Sequence, residues 1–361
     1  MAFCGGLIGE ASVTRTMRVA LASLLPVILA ASACSPAAQA PRTAATSPAA
    51  ATGSPTPTPS PSATVESPAV TLEEAAKIVR AILQTDDVVR DQGVESYALT
   101  QTRDAQAEIT ATAFQSAEKP SRYTWGEPTL LVPRMEQDRF PYWFAAVVER
   151  RDARGDSRTA VLSFMKQYEY SRWQLGFTSL LYPGTSLPAV TLDPQGYATA
   201  LATRDDSTAI SPHLMAPLHA TIAEEGPKGF AASLIAAGPQ TTGYFTEVQR
   251  VRPDYKRRGF LYDSLFAATA FPIYALRTTD GGAVVLYSLR RTTLREAKAK
   301  QATGLVPVPK NVRWAVNGVV VPRMLRLVET QQYVGHVPRK GAAEPATIIG
   351  FDGITTGVSF K

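Results

Sequence analysis

Two Ser-x-x-Lys pairs are the first candidates for chemistry in the sequence. Ser116 precedes Lys119 and Ser163 precedes Lys166, a spacing that lets lysine activate serine as a nucleophile when both lie on one helix. Ser163 falls in a predicted strand, where residues three apart point to opposite faces, and Ser116 falls at a predicted helix end before Pro120. Neither Lys-Thr-Gly, Ser-Asp-Asn nor Gly-x-Ser-x-Gly occurs. The sequence therefore predicts no serine acyl enzyme.

The three histidines, His213, His219 and His336, are the next candidates, as metal ligands. The six-residue spacing of the first two places them on different faces of a helix, and no His-Glu-x-x-His motif occurs. Cys4 and Cys34 are too few for a cysteine metal cluster or a disulfide scaffold. We therefore expect surface or hydrogen-bonded core histidines, and the sequence assigns neither a metal site nor a cofactor.

Two acidic residues inside apolar stretches are candidates for general acid–base chemistry. Asp263 lies in the segment 261–266, and Glu169 lies between Tyr168 and Tyr170. A carboxyl group in an apolar pocket has a raised pKa and can transfer a proton near neutral pH. Strand alternation instead favours a solvent-facing position for both acids. We therefore assign no catalytic residue, and an enzyme using Asp263 or a similar buried acid remains an alternative.

The segment 250–258, Arg-Val-Arg-Pro-Asp-Tyr-Lys-Arg-Arg, is the densest basic stretch. Lysine and arginine attract anionic surfaces such as lipid headgroups or phosphate-rich envelope polymers. On a helix, however, Arg250 pairs with Glu247 and Asp254 at i,i+3 and i,i+4 spacing, which favours a solvent-facing helix surface. The chain has 37 Lys and Arg against 31 Asp and Glu, a net charge of +6 over 361 residues. This excess is too small for a nucleic-acid-binding protein.

The elements that position these residues follow an N-terminal export signal. Arg18 precedes an apolar run that Pro26 interrupts and that ends in small residues, a pattern typical of a secretory signal peptide. The run is too short for the roughly 20 residues that cross a bilayer. We predict a signal peptide over residues 1–33, with Met17 as the true start because acidic Glu10 does not fit the basic beginning of such a signal.

The sequence Ala-Ser-Ala-Cys at 31–34 resembles the lipobox of bacterial lipoproteins, with Ala31 in place of the usual leucine. The resemblance implies cleavage between Ala33 and Cys34 and attachment of a diacylglyceryl group to the Cys34 thiol. Two acyl chains make a durable membrane anchor, so the protein is expected at the outer face of the cytoplasmic membrane. An ordinary cleavage near Ala33, with Cys34 incidental, remains open.

Residues 34–68 are predicted to form a lipid-anchored, disordered Pro/Thr/Ser/Ala-rich linker. Eight prolines fall between residues 35 and 68, five of them in 54–68. Frequent proline excludes helix and sheet and favours extended polyproline II, so 34 residues would reach on the order of 100 Å. The composition also suits a glycosylated stalk, and the sequence leaves a plain and a glycosylated linker open.

Residues 69–186 are predicted to form a first α+β lobe. The capping box at 71–74 begins a helix, and a second helix is predicted over 105–117. Apolar segments at 142–148 and 160–165 then have strand character, and short polar turns join the strands. Strands in succession without intervening helices predict an antiparallel meander.

Residues 187–361 are predicted to form a second lobe with the same plan. Asp193-Pro194 and Ser211-Pro212 each predict a helix start, and a further helix is predicted over 244–257. Strands are predicted over 260–262, 273–277, 284–289, 324–337 and 346–360.

The two lobes align in sequence pattern: 141–164 matches 272–289, and 173–183 matches 326–338. The predicted fold class is therefore α+β, with two similar lobes, each of N-terminal helices packed on a curved antiparallel sheet.

Four features of the sequence are the lipobox, the Pro-rich stalk, the Glu-rich first helix and the hairpin Arg-Thr-Thr-Asp-Gly-Gly-Ala-Val-Val-Leu at 277–286. Together they resemble a group of uncharacterised actinobacterial lipoproteins with a domain of unknown function. The resemblance covers roughly residues 72–360. Each half also resembles the cone-shaped fold of the ketosteroid-isomerase and nuclear-transport-factor class. The lipoprotein group implies no functional residues for this chain.

Together these patterns predict a lipid-anchored envelope protein that acts outside the cytoplasmic membrane as a non-catalytic binding module. The expected partners are the membrane, through the N-terminal lipid, and an envelope protein, a wall polymer or a small apolar ligand, whereas nucleic acid is not expected. One alternative is a cone-fold isomerase or hydrolase using a buried carboxylate. Another, the solute-binding lipoprotein of a transporter, is disfavoured because such proteins have parallel βαβ lobes.

Overall fold

The computed structural model describes residues 68–117, 120–298, 304–316 and 320–361. The predicted signal peptide, Cys34 and the linker up to residue 67 lie outside these described residues. Within them the chain forms six α-helices and two five-stranded sheets. No helix in the described part is both long and apolar enough to cross a membrane.

Three helices precede the first sheet, and the first of them is the longest. Thr71 accepts a hydrogen bond from the Glu74 backbone N–H at 3.1 Å, which confirms the predicted capping box. Gly93 ends this helix with φ of 69°, a left-handed conformation that glycine adopts without steric cost. The three helices are α1 (Leu72–Gln92), α2 (Glu95–Gln101) and α3 (Asp104–Gln115).

The first sheet is an antiparallel meander with an interrupted edge. Its strands are β1 (Tyr123–Trp125), β2 (Thr129–Leu131), β3 (Tyr142–Asp152), β4 (Ser157–Lys166) and β5 (Gln174–Leu180). Strands β1 and β2 pair one after the other with the same side of β3, and β4 and β5 continue from its other side. The described strand pairs are all antiparallel, as the sequence predicted.

The helix predicted after Asp193 is absent, and a turn takes its place. The Asp193 carboxylate accepts backbone N–H groups of Gln195 and Tyr197, both at 2.9 Å, and Gly196 has φ of 87°. An aspartate that caps a helix can equally well close a turn, so the Asp-Pro pattern did not distinguish the two. At Ser211 the prediction is confirmed, because a helix begins at the next residue.

The second sheet follows two helices of 14 and 16 residues. The elements of this half are α4 (Pro212–Glu225), α5 (Thr242–Arg257), β6 (Phe260–Ala268), β7 (Tyr274–Arg277), β8 (Ala283–Ala297), α6 (Arg313–Val316), β9 (Met324–Val337) and β10 (Thr347–Phe360). Strands β6 and β7 share one side of β8, and β9 and β10 follow on its other side. The second sheet therefore repeats the strand order of the first.

The two sheets have the same strand order, but the sequence alignment of the two halves is shifted by one strand relative to the structure. Matching 141–164 with 272–289 equates β3 and β4 with β7 and β8, whereas the topology equates β3 with β8. Likewise 173–183 lies on β5 and 326–338 on β9, although β5 corresponds to β10. Neighbouring antiparallel strands have the same alternation of apolar residues, so the pattern alone cannot decide which hairpin matches which.

The described residues pack as four layers in the order helix, sheet, sheet, helix. Each sheet has a front face, which is turned away from the other sheet, and a back face, which is turned towards it. Val79 and Leu83 of α1 belong to one apolar cluster with Leu162 on the front face of the first sheet. The back faces of the two sheets contact each other through a separate apolar cluster that joins the two halves. Helix α4 covers the front face of the second sheet, where Ile222 packs near Leu289. Both faces of each sheet are therefore covered over much of their area.

Candidate functional site

The structure separates the residues of the Ser-x-x-Lys pairs. Ser163 is fully buried on β4 between the two sheets, while Lys166 lies on the opposite strand face, with its Nζ 6.0 Å from the centre of the Phe140 ring. Ser116 follows the last residue of α3, and Lys119 lies outside the described residues. This geometry gives no nucleophile–base pair at 163–166.

The histidines occupy three different places. His219 is completely buried; its Nδ1 lies 2.8 Å from the Tyr287 hydroxyl and its Nε2 lies 2.7 Å from the Gln240 carbonyl oxygen. Burial lowers the pKa of His219 to about 4, so the ring is neutral at pH 7: Nε2 donates and Nδ1 accepts. His336 contacts an aspartate and His213 a backbone carbonyl. No group of metal-binding side chains occurs in the part of the chain that the structure describes.

The two acids singled out in the sequence are both on the surface. Asp263 lies on the outer face of β6 with 46% of its side chain exposed, and Arg252 of α5 donates to its carboxylate. Glu169 is exposed in the turn between β4 and β5. Asp263 thus lies on the exposed strand face that alternation predicted, whereas the predicted strand position of Glu169 is wrong because this residue lies in a turn.

A different carboxylate, Glu329, is partly buried, with 31% of its side chain exposed. It lies in a polar cluster between α5 and the second sheet, which we call the Arg291 cluster: Arg291, Glu247, Glu329, Ser264 and Gln331. The Arg291 side chain is 8% exposed and donates to Glu247 Oε1 at 2.8 Å and to Ser264 Oγ at 2.7 Å. Its Nη1 is 3.7 Å from Glu329 Oε2.

The members of the Arg291 cluster satisfy one another. Burial raises the pKa of the Glu329 carboxyl although the charge of Arg291 opposes the rise. Gln331 donates to Glu329 Oε2 at 3.0 Å and to the Tyr244 hydroxyl at 3.2 Å. The Arg291 guanidinium also lies 4.9 Å from the centre of the Tyr244 ring and 5.4 Å from that of the Phe266 ring. The cluster is thus a network of paired polar groups in which one carboxylate, Glu329, is partly desolvated.

No pattern in the sequence reveals this cluster, because its members are far apart along the chain. Arg291 and Glu329 lie directly opposite each other across the β8–β9 pair, and Glu247 arrives from a helix. The only local signal was the polar residues at every second position of β9, Glu329, Gln331 and Tyr333. Such alternation ordinarily indicates a solvent-facing strand surface.

A groove of about 500 Å³ lies between α1 and the segment that carries β1. We call it the α1 groove, and its lining residues are Val79, Arg80, Leu83, Gln84, Asp87, Val88, Tyr123, Thr124, Trp125, Gly126, Glu127 and Pro128. Of its apolar side chains, Val88 is 59% exposed, Tyr123 and Trp125 are partly exposed, and Val79 and Leu83 are buried. Exposed apolar surface of this kind in a concave site is typical of binding grooves.

Charged side chains bridge the two walls of the α1 groove. Arg122 donates to Asp87 at 2.8 Å and to Asp91 at 2.7 Å, and its hydrogen bond to Asp87 lowers the pKa of that carboxyl. The Arg80 guanidinium lies 3.9 Å from the Glu127 carboxylate, and both side chains are largely exposed. These pairs join α1 to the edge of the first sheet on either side of the apolar surface.

Residues 66–359 match the family described as Domain of unknown function (DUF8094). The chain belongs to this family. It is also similar to two uncharacterized lipoproteins of Streptomyces coelicolor. One is 27% identical over 256 residues, 66% of this chain and 64% of the relative, and the other is 24% identical over 221 residues, 60% of this chain and 62% of the relative. The matched region thus spans a little under two thirds of the relatives' own length.

These comparisons confirm the predicted membership of an uncharacterised actinobacterial lipoprotein family. No solved structure matches the chain, and the resemblance of each half to the ketosteroid-isomerase and nuclear-transport-factor class stays a prediction. The division into two lobes at residues 186 and 187 stays a prediction as well.

Proposed function

We propose that the protein is a lipid-anchored envelope lipoprotein that binds a partner outside the cytoplasmic membrane without catalysing a reaction. The lipoprotein relatives and the lipobox-like sequence ending at Cys34 support the anchor. Replacing Cys34 with alanine should release the protein into the medium when cells are washed at 500 mM salt, which weakens purely electrostatic membrane contacts, as an immunoblot of cell and medium fractions would reveal. Full retention in the membrane fraction after this wash would contradict lipidation at Cys34.

In this proposal the partner binds in the α1 groove. The groove combines exposed apolar side chains with an edge of the sheet, because β1 and β2 each pair only with β3. An edge strand leaves every second backbone N–H and C=O free for another chain. An extended peptide can therefore pair with this edge while its apolar side chains enter the groove. The occupant we propose is such a segment of an envelope protein.

A photo-crosslinking amino acid at Val88 or Thr124 tests this in the full-length chain in its native membrane. Both side chains are exposed at the groove. The matched control places the same amino acid at Glu344, which is exposed in the loop before β10. We expect one protein to crosslink at both groove positions and not at the control position, with the contact mapped by mass spectrometry to a short extended segment.

The mapped segment, synthesised as a peptide, should then bind the full-length chain, and Val88→Glu should weaken binding at least tenfold because it places a charge on the apolar wall. No adduct at either groove position, or equal adducts at Glu344, would refute the groove as the binding surface. Adducts with wall glycan instead of protein would assign the groove to a wall polymer.

The enzyme alternative is supported by acids whose pKa burial raises, Asp352 and, in the Arg291 cluster, Glu329. An acid of this kind can hold or accept a proton near neutral pH. The partners of Glu329 argue for a structural role, since Arg291 and Gln331 both contact the same carboxylate oxygen. Glu329→Gln separates the two proposals: the binding proposal expects unchanged groove crosslinks, whereas an isomerase or hydrolase would lose turnover of its substrate.

A further inference from the structure

One end of the molecule concentrates positive charge far beyond the rest. We call this end the basic pole and define it by residues 250–263, 294–298, 304–316, 320–326 and 361. These segments hold twelve Lys or Arg and three Asp or Glu, so the remainder of the chain has 25 Lys or Arg against 28 Asp or Glu. The modest net charge of +6 therefore conceals a strongly basic end on an otherwise slightly acidic protein.

Tertiary contacts bring these distant segments together. Phe260 at the start of β6 pairs with Ala297 at the end of β8. The Arg323 backbone N–H donates to the Lys361 carbonyl at 3.0 Å, and Arg295 Nη1 donates to the Pro307 carbonyl at 2.8 Å. A small apolar core lies beneath the pole and is made of Phe260, Val306, Val312, Val316, Val321, Leu325 and Leu327. These contacts join the segments of the pole into one continuous surface.

Most of the charge at the pole is not neutralised locally. Arg252 and Arg257 form ion pairs with Asp263 and Asp254. Exposed basic residues of the pole that form no ion pair with another described residue are Arg250, Lys256, Arg258, Lys310, Arg313, Arg323 and Arg326. Such a surface attracts a large anionic partner.

Exposed apolar side chains lie among these charges. Leu305 is 52% exposed and Val320 is 61% exposed, and the hydrogen bond from the Val306 N–H to the Val321 carbonyl at 2.8 Å places their segments side by side. Phe360, 37% exposed, precedes Lys361. A soluble polyanion interacts with charge alone, whereas a bilayer interface also accepts apolar side chains between its headgroups.

We propose that the basic pole docks the folded part of the protein onto a bilayer rich in anionic phospholipid. Leu305 and Val320 enter the headgroup region, and the surrounding arginines and lysines contact phosphate groups. This contact is separate from the N-terminal lipid proposed at Cys34, and it would hold the folded part of the protein against the membrane.

Sedimentation with vesicles tests the proposal on the full-length Cys34→Ala chain, which lacks the acyl anchor. Vesicles of phosphatidylcholine alone are compared with vesicles containing 30% phosphatidylglycerol. We expect binding only to the anionic vesicles, and a weaker interaction at 500 mM than at 100 mM salt. Binding to neither kind of vesicle, or equally to both, would overturn the proposal.

Two sets of substitutions locate the surface. A pole variant carries Lys310→Gln, Arg313→Gln, Arg323→Gln and Arg326→Gln, and should bind anionic vesicles at least tenfold more weakly. A control variant removes four exposed charges elsewhere, with Arg172→Gln, Arg204→Gln, Lys228→Gln and Arg339→Gln, and should change binding less than twofold. Equal losses in both would show a nonspecific effect of net charge and refute the pole. Circular dichroism checks that each variant is folded.

A third variant distinguishes a membrane from a soluble phosphate polymer. Leu305→Ser with Val320→Ser removes apolar side chains and keeps every charge of the pole. We expect at least threefold weaker binding to anionic vesicles and unchanged binding to inorganic polyphosphate. Unchanged binding to both would reject membrane docking and assign the pole to a phosphate-rich wall polymer.

Discussion

Arg291→Met should destabilise the protein by removing the one cation that two carboxylates share. Glu247 and Glu329 contact Arg291 at 2.8 and 3.7 Å. Breaking a buried ion pair from one side costs about 3–5 kcal/mol because the remaining charge is left unpaired. Both carboxylate side chains are about one third exposed, at 35% and 31%, so water can partly replace the arginine. We therefore expect a loss of about 3 kcal/mol in the free energy of unfolding at pH 7.

The pH dependence of this loss gives the prediction a second signature. Burial already raises the pKa of Glu329 in the wild type, so the folded state binds this proton more tightly than the unfolded state and stability falls as pH rises above 4.5. Without Arg291 the pKa rises further, and each tenfold gain in proton affinity corresponds to about 1.4 kcal/mol. The difference between variant and wild type should therefore shrink as pH is lowered from 7 towards 4.5.

Urea unfolding followed by tryptophan fluorescence at pH 7 and pH 5 measures both effects. Methionine fills part of the space beside the rings of Tyr244 and Phe266, whereas the hydrogen bond to Ser264 and the cation–π contacts of Arg291 are lost together with the charge. Arg139→Met is the matched control, because that arginine is 75% exposed in a surface pair and should change stability by less than about 0.5 kcal/mol. Adding Glu329→Gln to Arg291→Met should restore part of the loss. A loss below 1 kcal/mol, or one that does not depend on pH, would refute the account of unpaired carboxylates.

Two further predictions concern buried side chains of the two halves. His219 should remain neutral at pH 5 in histidine NMR spectra, since burial lowers its pKa to about 4. Its contribution to stability should be present above pH 6.5 and fall as pH drops towards 4, and titration near 6.5 would contradict this. Leu162→Ala should cost about 2–5 kcal/mol in urea unfolding because Leu162 is fully buried between α1 and the first sheet. Leu214→Ala, at a side chain 42% exposed on α4, should change stability by less than about 1 kcal/mol, and equal losses would contradict the assigned core.

Local patterns predicted the elements well where a single periodicity dominated. The capping box at Thr71, the helix start at Pro212 and the strands over 324–337 and 346–360 are all found in the structure. The turn at Asp193 was predicted wrongly because one side chain can cap either a helix or a turn. The alignment of the two halves was one strand out of step because successive antiparallel strands repeat the same pattern.

Surfaces built from distant segments were largely beyond these patterns. Arg252 and Asp263 each attracted attention in the sequence as possible functional groups, yet they neutralise each other on the surface. Residues 250–257 lie on α5 with most of their side chains exposed, as predicted, but the predicted pairs of Arg250 are not formed, because Glu247 pairs with Arg291 and Asp254 with Arg257. Only the folded chain shows that segments lying between residues 294 and 361 join this helix surface to form the basic pole.

The sequence by itself predicts an export signal and a lipobox-like segment at Cys34, and it determined the α+β class and the order of helices before antiparallel strands in each half. These depend on local composition and periodicity, which a chain carries before it folds. The tertiary structure decided that the sheets pack back to back, that Glu329 joins the Arg291 cluster while Asp263 pairs with Arg252 on the surface, and that α1 and the edge of the first sheet form a groove. These features depend on strand register and layer packing, since charges and apolar side chains far apart in sequence acquire their environment only when the layers come together.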